Sequence, residues 1–141
     1  MTTKDATANA AGGGTTYRPS SPYRSAKITV DLGEYALAAS GGDTLNLIPI
    51  NKGEFVHAAY FRVDSPSDSG VTLKIDDDRT GGGAILGATA ADSAAGTTSA
   101  ASGAGVGKVG TTDGNLTMTT GAAVATTQGK VTVYAIIGEA F

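Results

Sequence analysis

The chain contains no cysteine and no tryptophan, and His57 is its single histidine. Without thiols it has neither disulfides nor thiolate metal sites. Packing, backbone hydrogen bonds and subunit contacts must hold it together. His57 has no second imidazole or thiol to complete a metal set and no nucleophile pattern around it, so it reads as a strand residue. Large apolar side chains are scarce: Leu, Ile, Val and Phe number 26 of 141 residues, while Gly, Ala, Ser and Thr exceed half. That composition leans toward disorder. The net charge of -3 is too small for self-repulsion to keep a chain open, however, and the apolar residues are gathered into alternating runs. At roughly 25 cal/mol per Å² of buried apolar surface, so few large side chains make a thin core that leans on neighbours. Basic residues are few as well. Ten Lys and Arg spread through a chain of pI about 4.9 do not make a nucleic-acid surface. No run approaches the ~20 apolar residues of a membrane span. The N-terminus lacks the apolar core of a signal peptide, so a soluble chain not exported by that route is expected, without a membrane partner.

What is present is alternation of period two. "AKITVDL" puts Ile28, Val30 and Leu32 on one face. "TLNLIPI" puts Leu45 and Leu47 on one side and Ile48 and Ile50 toward the other. "NKG" at 51–53 supplies a turn with Gly53 available for positive φ. "EFVHAAYFRVD" aligns Phe55, His57, Ala59, Phe61 and Val63 against Val56, Ala58, Tyr60 and Arg62. "VTLKID" turns Val71, Leu73 and Ile75 inward; "NLTMT" does so with Leu116 and Met118, and "KVTVYAIIG" with Val131, Val133, Ala135 and Ile137. "AILGA" at 84–88 and "VGKVG" at 106–110 are weaker strands. Pro49 marks its strand as edge-like or bulged, since proline cannot donate to the ladder. Roughly eight short strands without helical spacing predict an all-β fold, an antiparallel sandwich or barrel in one domain over residues 26–141.

Motifs for catalysis do not assemble. "IDDDRTGGG" at 75–83 is the densest polar patch, but its carboxylates are adjacent and no Glu closes a calcium loop. It runs into a strand rather than a helix, which removes a phosphate loop. The reading is an inter-strand turn with a solvated acidic edge. "GVGKVG" at 105–110 fits G-x-G-x-x-G by letter, yet 21 glycines make such matches common and "TTDGN" follows instead of a helix. Val109 also stands where a nucleotide loop needs Ser or Thr after Lys108. The chain is expected to be no enzyme, with no cofactor, no metal and no catalytic residues. The small-residue stretch 87–115 is expected to approach another surface closely, as in an assembly protein.

Residues 1–25 form a separate compositional block, an extended N-terminal arm that is either flexible or docked on a neighbour. Its repeated pairs, Tyr17-Arg18 and Tyr23-Arg24, are the candidate anchors, because such residues carry interface energy. In the last strand Tyr134 and Ile136 lie opposite the buried face and are apolar too, which a solvated face does not favour. A second subunit covering them, in a dimer or trimer of closed symmetry, is expected.

The order and punctuation of "GDTLNLIPINKGEFVHAAYFRVDSPSDSGVTLKIDDDRTGGG", a Gly/Ala-rich middle, and "DGNLTMTTGAAVATTQGKVTVYAIIGE" resemble small structural proteins of tailed-bacteriophage virions. The elements that carry the resemblance are Gly42-Asp43 through Gly53, Phe55 to Asp64, Thr72 to Asp76 and Thr127 to Tyr134. The resemblance spans roughly residues 26–141. It implies a jelly-roll-like β-sandwich, a capsid cement or decoration protein that binds the major capsid protein on the outer surface of the virion. It brings no active site. The other role it implies is a head-fibre or tail component that binds a receptor or carbohydrate.

Overall fold

A computed structural model describes residues 2–7 and 22–140. The alternating runs become strands: β1 Thr2–Asp5, β2 Tyr23–Asp31, β3 Asp43–Ile50, β4 Glu54–Ser65, β5 Thr72–Asp77, β6 Ala84–Ala90, β7 Thr98–Ala100, β8 Gly114–Thr120 and β9 Lys130–Glu139. No α-helix occurs among the described residues. The antiparallel pairings are nested: β2 with β9, β3 with β8, β4 with β7, β5 with β6. Adding β4 to β9 and β5 to β8 gathers them into two sheets, β2-β9-β4-β7 and β1-β3-β8-β5-β6. The chain is thus a β-sandwich built as one long hairpin folded over on itself. Among the described strands only β1, parallel to β3, lies outside that scheme.

The core fills the space between the sheets. Ile28, Val30, Phe61, Val131, Val133 and Ile137 come from one sheet, and Leu45, Leu73, Ile75, Leu116 and Met118 from the other, each at most 1% exposed. Burial of each such side chain contributes about 1.5–3 kcal/mol. Single alternation accounts for β2, β5 and β9 as expected.

Two strands depart from simple alternation, for one reason. In β3 the register against β8 shifts between Asn46 and Ile48, so Leu45, Leu47, Ile48 and Ile50 are all fully buried instead of splitting between two sides. The extra residue of a bulge resets the phase. In β4 the register against β9 shifts between Val56 and Ala58. Beyond it Ala59, Phe61 and Val63 point inward as expected, but before it Val56 is buried while His57 is exposed and Phe55 half-buried. Pro49 stands beside the β3 bulge and past the residues that β1 covers, where its missing N–H costs no ladder bond.

Stretch 87–115 also differs from expectation. Residues 106–110 are not a strand: a turn covers 104–107, with Gly107 at φ 85°, and the strand of this region is β7. Within the chain it packs closely on β6, where Gly103 and Gly105 donate to the Ile85 and Ala84 carbonyls at 2.9 and 2.8 Å. A Cβ on Gly103 would stand 2.1 Å from the Ala84 oxygen, so only glycine fits. Gly53 takes the positive φ foreseen for the β3–β4 turn, at 85°.

Candidate interaction face

The acidic turn is solvated only in part: Asp78 and Thr80 are exposed, but the centre of the turn is interior. Asp77 and Arg79 are 4% exposed, and their side chains form an ion pair of 2.7 Å at 0% exposure. The guanidinium donates to both Asp77 carboxylate oxygens, at 2.9 and 2.7 Å, and to the carbonyls of Asn51 and Glu54, each at 2.7 Å. A Cβ on Gly82 would lie 2.7 Å from the Asp77 carboxyl carbon, and one on Gly110 2.5 Å from the guanidinium carbon. The middle glycine of the "GGG" run is there to admit this pair. Asp78, by contrast, is exposed and accepts the Asn115 N–H at 2.7 Å. With its carboxylate spent on Arg79, Asp77 holds the β3–β4 turn in place.

Arg24 grips the same turn from the other side. Tyr23 and Arg24 open β2, and alternation sends them to opposite faces. Arg24 goes inward, donating to Glu54 at 3.1 and 3.2 Å and to the Pro49 carbonyl at 2.9 Å. Burial pulls its guanidinium below the ordinary value. Burial likewise pushes the Glu54 carboxyl up, against the Asn51 N–H and the Arg79 charge, which draw it back down. Two ions so desolvated are tolerable only face to face.

The remaining candidates point to one surface, the outer face of β2-β9-β4. Tyr17 and Arg18 lie outside the described residues. Tyr23 packs against His57 at 5.2 Å and against Phe55 edge-on at 6.4 Å between ring centroids. The Phe55 ring sits over Gly138, where a Cβ would meet it at 2.4 Å. Ile136 pairs with Ser25 on one side and Ala58 on the other. Next along, Lys27, Tyr134 and Tyr60 form one cross-strand row. Lys27 and Arg62 lie over the Tyr134 ring, 5.9 and 5.6 Å from its centroid, in cation–π contacts. Asp64 accepts from Arg62 at 2.7 Å and from Thr132, and its bond and charge raise the guanidinium above its ordinary value.

Tyr23, Tyr60 and Ile136 are 42, 44 and 38% exposed; of the described residues only Val109 joins them as an exposed large apolar side chain. The opposite sheet carries polar rows instead: Asn46, the buried Thr117 and Asp76 in one, Thr119 and Lys74 in the next. Apolar exposure is therefore concentrated on one face of one sheet, the pattern of a contact surface. Sequence reasoning placed Tyr134 and Ile136 on it and left out Tyr60, Phe55 and His57. The bulge between Val56 and Ala58, which the sequence pattern does not mark, puts Phe55 and Tyr60 on the same side.

No protein-family model and no curated protein matches the sequence. Two solved structures do match its fold. A chain of the capsid of Ralstonia phage GP4 aligns with a TM-score of 0.63 at 15% identity, over 92% of this chain and 94% of that one. A chain of the cyanophage Pam1 capsid asymmetric unit aligns with a TM-score of 0.62 at 17% identity, over 89% and 91%. The likeness runs nearly end to end in both, and at these identities it is a likeness of fold.

Proposed function

We propose that the protein is a non-enzymatic structural component of a tailed-phage virion, a cement or decoration subunit of the outer capsid surface. It binds the assembled shell of major capsid protein and associates with itself as a dimer or trimer. The observation that carries this reading is the fold shared over nine-tenths of its length with chains of two phage capsids. The nested pairing of β2 to β9 supports a jelly roll, since the two sheets keep the strand orders that such a fold requires. The aromatic face supplies the contact. Tyr and Arg are enriched where interfaces carry energy, and the Tyr23, Tyr60, Tyr134 and Ile136 surface has no internal reason to be apolar. A subunit that binds only the assembled shell stabilises it by mass action. Purified protein mixed with empty shells should co-sediment with them, and Tyr134→Asp should lose that binding and self-association while staying folded, at a cost of about 1–2 kcal/mol for the two cation–π contacts it gives up. An unchanged variant would remove the face from the interface. Binding to glycans with no binding to shells would favour a fibre or tail role, which the exposed tyrosines also suit.

A further inference from the structure

β1 pairs in parallel with β3, Thr2 beside Asp43 through to Asp5 beside Asn46, in a fold whose other pairings are antiparallel. The nested scheme is complete without it. Its attachment is nevertheless specific. Ala6 is 2% exposed and joins the core, and its N–H donates to the Asn46 carbonyl at 3.0 Å. Lys4 reaches the Ala36 carbonyl and stands 3.8 Å from Asp43. Thr7 then donates to the Asp5 carboxylate through its N–H and its hydroxyl, at 2.9 and 2.7 Å, which ends the strand. Residues 2–7 are thus a short peptide with a register lock, an apolar plug and a stop, the features by which an added strand is recognised at a sheet edge.

Fourteen residues, 8–21, separate this peptide from Pro22 and β2. At full stretch a segment of that length spans about 46–50 Å. A domain of this size is only about 36 Å across, taking its radius of gyration from its length. The peptide therefore has the reach to dock on its own β3 or on that of an adjacent molecule. The contacts are the same in both cases, so effective concentration decides between them. In a packed oligomer the neighbouring β3 edge competes on equal terms.

We propose that the β3 edge is an acceptor site for the β1 strand of a second copy, so that residues 2–7 exchange between subunits and clasp them together. The proposal rests on the self-association argued above. The absence of cysteine makes the test clean. A donor carrying Thr3→Cys is mixed with an acceptor that carries Thr44→Cys and lacks residues 2–7, and the mixture is oxidised. Thr3 and Thr44 are register partners, so a disulfide between the two chains forms only when β1 of one lies on β3 of the other. A covalent heterodimer at least fivefold above the yield with Thr98→Cys as acceptor, on the opposite sheet, is the expected result. A full-length Thr44→Cys acceptor with donor in excess serves if the shortened one does not fold. Yields at the control level for both acceptors would overturn the proposal. If sedimentation still shows an oligomer in that case, exchange fails while self-association stands.

Discussion

Asp77→Asn is the sharpest test of how this domain is held together. The substitution leaves shape and volume almost intact and removes the carboxylate bonded to Arg79, whose side chain is fully buried. An uncompensated buried guanidinium costs about 3–5 kcal/mol, and since the Asn oxygen still accepts one bond the lower end, about 3 kcal/mol, is the better figure. For 141 residues the entropy of unfolding is about 0.3 kcal/mol per degree, so the melting temperature should fall by about 10 °C. Asp78→Asn, one residue on, should shift it by less than about 2 °C, because that side chain is exposed and Asn can accept the same Asn115 N–H. Paired melts followed by circular dichroism decide the matter. Equal, small shifts for both variants would refute the buried pair and restore a solvated loop. Replacing both partners, Asp77→Leu with Arg79→Met, should recover only part of the loss, since the Asn51 and Glu54 carbonyls then lose their donor.

Gly138→Ala should cost about 1–2 kcal/mol, because the new methyl displaces the Phe55 ring from the sheet; an unchanged near-ultraviolet aromatic signal would show that the ring never rested there. Acid should expose the role of Asp68. The Thr127 hydroxyl and N–H hold its carboxyl below the ordinary value of 3.8, so its contribution is present above that pH and is lost as pH falls through the lowered value. The gap in melting temperature between the parent and Asp68→Asn should therefore be open at pH 6 and close below about pH 3.8, whereas a gap that stays constant into strong acid would contradict this.

The strands that alternate without interruption were legible in the sequence, and so were the buried faces they carry. β2, β5 and β9 needed only period two. β3 and the first half of β4 did not yield to it, because a bulge shifts the phase by one residue and a single sequence does not say where the extra residue falls. Leu47-Ile48, two large aliphatics in succession, is the trace such a bulge leaves. β7 was invisible: Thr98, Ser99 and Ala100 carry no apolar contrast, and their pairing with Tyr60 to Arg62 is decided by backbone hydrogen bonds alone. The acidic turn misled for a different reason. Three aspartates in a row read as solvated, and burial of the middle one depends on Asn51 and Glu54, more than twenty residues away, offering carbonyls to its arginine.

The distribution of these features separates stability from contact. What holds the fold is interior: aliphatic side chains between the sheets and the two ion pairs, Arg24 with Glu54 and Arg79 with Asp77, that pin the β3–β4 turn from either side. Arginine suits both posts because its planar fork satisfies a carboxylate and backbone carbonyls together, which lets a thin core tolerate buried charge. The tyrosines and Ile136 on the outer face of β2-β9-β4 take no part in that arrangement. Polar residues there would leave the interior contacts in place, as the Thr, Asn and Lys rows of the opposite sheet demonstrate. The interior contacts therefore give no reason for one face to be aromatic and the other polar. On the role proposed above the aromatic face meets a second surface, and that contact is what would account for the asymmetry.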